Sequence, residues 1–273
     1  MRTSFSCYNL CVSTSSEPLP AQPAPRLWPL TPEPEPVFGL LEVFLAFVVM
    51  LLAVLFCGAI AIVIAQHTAT FSHLHPSELA NEPRVLIPAQ LVAYLLLLAA
   101  IWRLFVHHRI GFFRALSWNF PQRWTRFVIA GVALAVVVQL AAHLLPTRPE
   151  LPIDKMMRTP LDAWLLAGFG VLVAPFVEEI LFRGLLFPAL ARRIGAAMSL
   201  VATSVFFGGI HAQQLAGAWA QVALIVLVGA VLTAIRWRYH SLASSTLVHV
   251  GYNATLFVAL CVQTRGFTHI SPH

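Results

Sequence analysis

The strongest constraint on how this chain folds is a succession of apolar runs, each about as long as a membrane-spanning helix. About 20 apolar residues in an α-helix cross a hydrocarbon core about 30 Å thick. Only helices and closed barrels satisfy their backbone polar groups in that layer. Seven such runs lie at about 38–65, 85–106, 127–145, 163–190, 196–212, 215–235 and 241–263. They predict an all-α fold, a polytopic transmembrane helix bundle with about seven spans.

The composition agrees with a membrane protein. Hydrophobic residues make up 59% of the chain and charged residues 10%, whereas soluble domains carry about 25% charged residues. The net charge of +6 does not indicate nucleic-acid binding, because the basic residues cluster in loops, as the positive-inside rule predicts. A cytoplasmic N-terminus places most of them inside. Since nearly all of them are arginine, we predict an integral protein of the bacterial cell (inner) membrane, with the lipid bilayer but no nucleic acid as a partner.

The expected organisation has four parts. Residues 1–37 contain eight of the 19 prolines, and we expect a disordered or extended tail there. Residues 38–145 should form three transmembrane helices, with an aromatic and arginine-rich interfacial segment at 107–126. Residues 160–263 form the core that carries the polar motifs, with a break expected near Pro175, and 264–273 form a C-terminal tail.

Two adjacent glutamates, Glu178 and Glu179, lie within the fourth predicted span. A charged group at the bilayer centre costs at least about 2.5–3.5 kcal/mol, so these residues need partners. Glu179 and Arg183 are four residues apart in the order that favours an intrahelical ion pair. Glu178 lies about 100° around the helix from Glu179 and must find a partner on another helix. The structural alternative is that both glutamates merely hold helices together.

The remaining polar candidates lie on later spans. His211 ends the sequence Phe207-Gly-Gly-Ile-His211, and His249 and Asn253 are four residues apart on the last span, which places both on one helix face. Glu178, His211 and His249 could form a zinc site with an open position, or perform acid–base chemistry without metal. The chain contains no His-Glu-x-x-His sequence, which is the usual signature of zinc proteases.

These three motifs, taken in order and on separate spans, resemble those of the CPBP intramembrane proteases. That family comprises the CAAX prenyl endopeptidases and the bacteriocin-processing enzymes formerly called Abi. The resemblance covers about residues 160–260 and makes 160–263 the catalytic core. It implies hydrolysis of peptide bonds within the membrane, with a membrane-associated peptide or protein as substrate.

The resemblance also implies roles for individual residues. Glu178 would be the general base that activates water together with His211, and His249 and Asn253 would form an oxyanion hole. The residues implied to support the site are Glu179, Arg183 and Phe207. The family has been described both as metalloproteases and as metal-independent glutamate proteases. The cofactor is therefore left open, with metal-independent chemistry favoured and Glu178, His211 and His249 as the ligands if zinc is bound.

Two other functions compete with a protease. A transporter or proton relay also carries buried glutamate and histidine, but transporters usually show paired broken helices in two repeats, and only one broken span is expected here. A non-catalytic membrane scaffold or bacteriocin-immunity protein could retain the same fold. An enzyme should lose turnover on the change Glu178→Gln and still fold, whereas a scaffold should tolerate that change.

Overall fold

The computed structural model describes residues 38–145, 156–215 and 217–268, and the regular structure in these ranges is helical throughout. In chain order the helices are α1 Leu40–Gln66, α2 Pro76–Leu79, α3 Pro83–His107, α4 Phe112–Ala115, α5 Thr125–Ala142, α6 Pro160–Gly168, α7 Ala174–Glu179, α8 Phe187–Ile194, α9 Ala196–Ile210, α10 Trp219–Tyr239 and α11 Leu242–Gln263. The predicted all-α fold is confirmed. The proposed tail at 1–37 and the last five residues lie outside the described part of the chain.

The predicted number of about seven spans is close to what the structure shows. Six helical runs in the described ranges are long and apolar enough to cross a membrane. The remaining predicted span, 196–212, is a shorter apolar helix, because α9 contains only 15 residues. At 1.5 Å per residue, α9 extends about 22 Å, less than the hydrocarbon thickness of about 30 Å.

The fourth predicted span is a continuous helical run of 35 residues, Pro160–Ile194. It begins at a capping box, in which Thr159 Oγ1 accepts from the Asp162 N–H at 3.2 Å and Asp162 Oδ2 accepts from the Thr159 N–H at 3.0 Å. Pro160 occupies the first turn, where its missing N–H costs no hydrogen bond. These features fix where the helix that carries both glutamates starts.

Two π-helical stretches interrupt this run, at Phe169–Val173 and at Ile180–Leu186. Helix α7, which ends at Glu179, lies between them. At the end of the first stretch the Ala174 N–H donates to the Phe169 carbonyl, five residues back. The break expected near Pro175 therefore takes the form of a widened turn just before the proline, and the helical run continues past it. Such π turns are common at functional sites.

Hydrogen bonds between separate turns show which helix ends lie together. The Leu242 N–H donates to the Ser117 carbonyl at 3.0 Å, which joins the start of α11 to the turn after α4. Arg192 Nη2 donates to the Phe38 carbonyl at 2.5 Å, which joins the end of α8 to the residues before α1. The Phe105 ring at the end of α3 lies beside both Phe38 and Phe112, with ring centroids 5.9 and 5.8 Å apart. The segment 107–126 therefore shares one end of the bundle with the starts of α1 and α11 and the end of α8.

Helices α5 and α11 approach each other closely at two glycines. A Cβ atom added to Gly131 would lie 2.2 Å from the Val248 carbonyl oxygen, and one added to Gly251 would lie 2.5 Å from the Val128 carbonyl oxygen. Both distances are far below van der Waals contact, so only glycine permits this backbone separation. The contact holds α11, which carries His249 and Asn253, against a helix from the first half of the chain.

Candidate active site

The two adjacent glutamates lie in different environments. Glu179 is completely buried, whereas the Glu178 side chain retains 20% of its exposure. Consecutive residues of a helix differ by about 100° in direction. The Glu179 carboxylate therefore lies inside the bundle, whereas the Glu178 carboxylate is partly exposed. Paired carboxylates in unlike surroundings are a common arrangement for groups with separate chemical roles.

Glu179 forms the predicted ion pair with Arg183. Arg183 Nη1 donates to Glu179 Oε1 at 2.9 Å, and both side chains are fully buried. The guanidinium also donates through Nη2 to the Gly229 carbonyl at 2.9 Å and through Nε to Thr233 Oγ1 at 3.2 Å. The two partners on α10 were missed from the sequence, although residues four apart on a helix share one face.

His249 lies between the two glutamates. Its Nδ1 is 3.1 Å from Glu179 Oε1, and its Nε2 is 3.8 Å from Glu178 Oε2. A carboxylate that is paired with arginine can only accept a hydrogen bond, so Nδ1 carries the proton. The 3.8 Å separation on the other side is longer than a direct hydrogen bond. The partner that Glu178 was expected to need on another helix is therefore His249.

His211 contacts Phe207, which links it to the other candidate residues. Its Nδ1 donates to the Phe207 carbonyl at 2.7 Å, which leaves Nε2 to accept a proton in the neutral ring. The Phe207 ring lies 4.7 Å from the His211 ring and 5.9 Å from the His249 ring, measured between centroids. The Arg183 guanidinium carbon lies 4.4 Å from the Phe207 centroid. The buried Phe207 ring therefore lies beside both histidines and the arginine.

Asn253 is anchored to the first π-helical stretch. Its Nδ2 donates to the Gly170 carbonyl at 2.7 Å. A π turn shifts backbone carbonyls away from their usual i+4 partners, and here one such carbonyl bonds the Asn253 side chain. Gly170 also accommodates the Phe257 ring, which would lie 3.0 Å from an added Cβ atom. Asn253 and His249 share one face of α11, as their spacing predicted.

The first half of the chain contributes a wall to this site that no motif had indicated. Tyr94 of α3 is buried and stacks on Phe169, with ring centroids 5.6 Å apart and an interplanar angle of 26°. Its hydroxyl oxygen accepts from Gln90 Nε2 at 3.2 Å and lies within electrostatic range of Glu178. Gln90 and Tyr94 are four residues apart on a predicted span, and this spacing was the only signal in the sequence.

The proposed zinc ligands do not converge. Within residues 38–145, 156–215 and 217–268, no group of three or more His, Cys, Asp or Glu side chains is arranged to hold a metal ion. Glu178 and His249 approach each other at 3.8 Å, but no third side chain of these types joins them at metal-binding distance in the described ranges. The donor set does not fit a zinc site of the His₂Glu type. The chemistry considered below uses only side chains of the chain itself.

Comparison with known proteins bears on the helices that carry these residues. Residues 160–255 match the family described as Type II CAAX prenyl endopeptidase Rce1-like. No curated protein and no solved structure matches the chain. The family match confirms the resemblance to the CPBP proteases and supports an intramembrane endopeptidase of the CAAX-protease type in general. Together with the six spanning helices, it identifies an integral membrane protein.

Proposed function

We propose that this protein cleaves peptide bonds of membrane-associated proteins or peptides, with Glu178 as the general base. The observation that carries the proposal is the contrast between the two glutamates. Glu179 is sealed and paired with Arg183, whereas Glu178 is partly accessible and faces His249 at 3.8 Å. A general base must be reachable by water and substrate, and of the two glutamates only Glu178 is partly exposed.

Water activation is assigned to Glu178 together with His211. The His211 Nδ1–H donates to the Phe207 carbonyl, so Nε2 of the neutral ring is free to accept a proton. Glu178 removes a proton from the attacking water, which His211 orients, and the water oxygen bonds to the scissile carbonyl carbon. When the intermediate collapses, the C–N bond breaks and the proton held by Glu178 passes to the leaving amine nitrogen. General acid–base groups of this kind contribute about 10²–10⁴-fold in rate.

His249 and Asn253 are assigned to the oxyanion. Because the His249 Nδ1–H donates to Glu179, Nε2 becomes a donor only when the ring is protonated. Asn253 uses one of its two N–H hydrogens on the Gly170 carbonyl and offers the second to the substrate. Removing one preorganised donor of this kind costs about 10²–10³ in kcat.

The proposal also assigns the orientation of the protein, its membrane and its class of substrate. Arginines follow α3 and occupy the last turns of α8 and α10, at one end of the bundle, which supports a cytoplasmic N-terminus. With the arginine-rich composition, we assign the protein to the bacterial cell membrane. The substrate class is a membrane-associated peptide, prenylated or not, and the reaction is proposed to be metal-independent.

The test is cleavage of a quenched peptide library that includes a farnesylated CAAX peptide, using purified protein in detergent. Glu178→Gln and His211→Ala are compared with wild type, and Glu78→Gln serves as a matched control because Glu78 is exposed on α2. We expect Glu178→Gln to lose at least about 100-fold in kcat and Glu78→Gln to retain full activity. Thermal unfolding should be unchanged in both.

Two results would contradict the proposal. Equal cleavage by wild type and the folded Glu178→Gln variant would remove Glu178 from the mechanism. Failure of the wild type to cleave any member of the library, prenylated or plain, would favour the non-catalytic scaffold or immunity protein. In that case Glu178→Gln would be expected to behave as wild type in every measurement.

A further inference from the structure

Helix α10 carries none of the motif residues, yet it supplies two of the three partners of Arg183. The guanidinium donates to Glu179 Oε1 at 2.9 Å, to the Gly229 carbonyl at 2.9 Å and to Thr233 Oγ1 at 3.2 Å. The arginine side chain is fully buried, so water cannot replace a partner that is lost. The position of the guanidinium is therefore set as much by α10 as by the glutamate on its own helix.

The hydroxyl of Thr233 is fixed in one orientation. Thr233 Oγ1 donates its hydrogen to the Gly229 carbonyl at 2.8 Å, so its lone pairs face the Arg183 Nε, which can only donate. The Gly229 carbonyl, which lies inside α10, accepts side-chain hydrogen bonds from both Thr233 Oγ1 and Arg183 Nη2. Gly229 also allows the close packing of α9, because an added Cβ atom would lie 3.1 Å from Phe207 Cδ1.

We propose that Thr233 is a positioning residue for peptide-bond hydrolysis, acting on His249 through Arg183 and Glu179. The links measure 3.2 Å from Thr233 to Arg183, 2.9 Å from Arg183 to Glu179 and 3.1 Å from Glu179 to His249. All four side chains are buried. The inference rests on the proposed function, because it concerns how the oxyanion histidine of that site is held.

The chain of contacts has a direct chemical purpose. His249 must present Nε2 towards the reacting group, and the orientation of its ring depends on where Glu179 Oε1 lies. Glu179 is in turn held by the Arg183 Nη1 arm. Loss of the Thr233 acceptor leaves the Arg183 Nε–H without its hydrogen-bond partner, so the guanidinium is held less firmly. Small displacements of a catalytic group lower the rate even when the fold is intact.

The central variant is Thr233→Val, which keeps the size of the side chain and removes the acceptor. We expect kcat to fall about tenfold, the effect of one lost hydrogen bond to a charged group, with KM unchanged because Thr233 does not contact substrate. Thr233→Ser keeps the hydroxyl and should restore kcat. Thr233→Cys, whose sulfur is a weak acceptor, should fall between the two.

The matched control is Thr203→Val on α9. Thr203 is fully buried like Thr233, but its Oγ1 has no hydrogen-bond partner among the described residues. The same substitution in the same kind of environment therefore removes no acceptor that is in use. We expect wild-type kcat and KM for this variant. If Thr233→Val does not fold, the comparison of Thr233→Ser with Thr233→Cys still tests the dependence on the acceptor.

A second measurement does not depend on activity. Thermal unfolding of Thr233→Val, Glu179→Gln and the double variant should show non-additive shifts in Tm, whereas Thr203→Val should be additive with Glu179→Gln. Additive shifts for Thr233, or a Thr233→Val enzyme with the kcat of Thr203→Val, would overturn the inference. Wild-type protein that cleaves nothing would refute the proposed function instead, and the unfolding cycle would still decide whether Thr233 is coupled to Glu179.

Discussion

Replacing Arg183 by methionine should be among the most destabilising single changes available in this protein. The substitution keeps a long, unbranched side chain but leaves the Glu179 carboxylate buried without its counter-ion. Removing one partner of a buried pair typically costs about 3–5 kcal/mol in the free energy of unfolding. Arg183 also bonds the Gly229 carbonyl and Thr233 Oγ1 and lies over the Phe207 ring at 4.4 Å. We therefore expect a loss near the upper end, about 4–5 kcal/mol.

The pair can be separated from its surroundings by a double-mutant cycle. Glu179→Gln should cost less than Arg183→Met, because glutamine still offers an oxygen to Arg183 and His249. The double variant has no unpaired buried charge, so it should be more stable than the sum of the two losses predicts, by about 2 kcal/mol. The assay is reversible unfolding of the detergent-solubilised protein, monitored by circular dichroism.

Arg193→Met provides the control for loss of an arginine as such. Arg193 is exposed in the last turn of α8, and a surface change of this kind should stay within about 0.5 kcal/mol of wild type. A loss below 1 kcal/mol for Arg183→Met, or strict additivity in the cycle, would refute the argument. Either result would mean that Glu179 is solvated or neutral in the folded protein.

Three further predictions concern the Asn253 side chain, the packing of α5 against α11 and the need for a metal. Asn253→Asp, which removes the side-chain donors with little change in shape, should lower kcat by about 10²–10³-fold. Because the Gly170 carbonyl also loses its partner, Tm should fall as well; a fully active variant would exclude Asn253 from the oxyanion hole. Gly131→Ala should destabilise the protein by about 1–3 kcal/mol or more, because its Cβ would lie 2.2 Å from the Val248 carbonyl oxygen. Gly58→Ala, where an added Cβ meets no atom within 4 Å, should instead be neutral or stabilising in the same unfolding assay. Prolonged chelation should leave peptide cleavage intact, since the three candidate zinc ligands do not converge; complete loss that is restored by zinc would contradict the metal-independent mechanism.

Much of the fold was predictable because its signals are local. A run of about 20 apolar residues is sufficient to identify a spanning helix, and the helices of the described ranges lie where those runs predicted. The i,i+4 spacing of Glu179 and Arg183 likewise predicted their contact, because helix geometry alone brings such residues together. The same reasoning placed His249 and Asn253 on one face.

The contacts between helices were not predictable in the same way. That Arg183 reaches Gly229 and Thr233, or that His249 lies between the two glutamates, depends on how separate helices pack, and no spacing along the chain encodes it. The π-helical stretches were also missed, because Pro175 indicates a disturbance but not its form. The close approach of α5 to α11 at Gly131 was also not predicted. Helix α5 lies outside residues 160–255, so the motifs of that region carry no information about it.

The π-helical turn at Phe169–Val173 makes the site sensitive to the number of residues in the chain as well as to their identity. One residue fewer in that stretch would close the wide turn to ordinary helical winding. One residue fewer in the α-helical turns beside it would rotate everything downstream by about 100° with a shift of about 1.5 Å. Glu178 would then turn away from His249 although no active-site residue had been changed. Substitutions preserve the register, whereas a single deletion in those α-helical turns would separate Glu178 from His249 while keeping the span long enough for the bilayer. The number of residues between Pro160 and Glu178 therefore helps to set the direction of the Glu178 side chain in this chain.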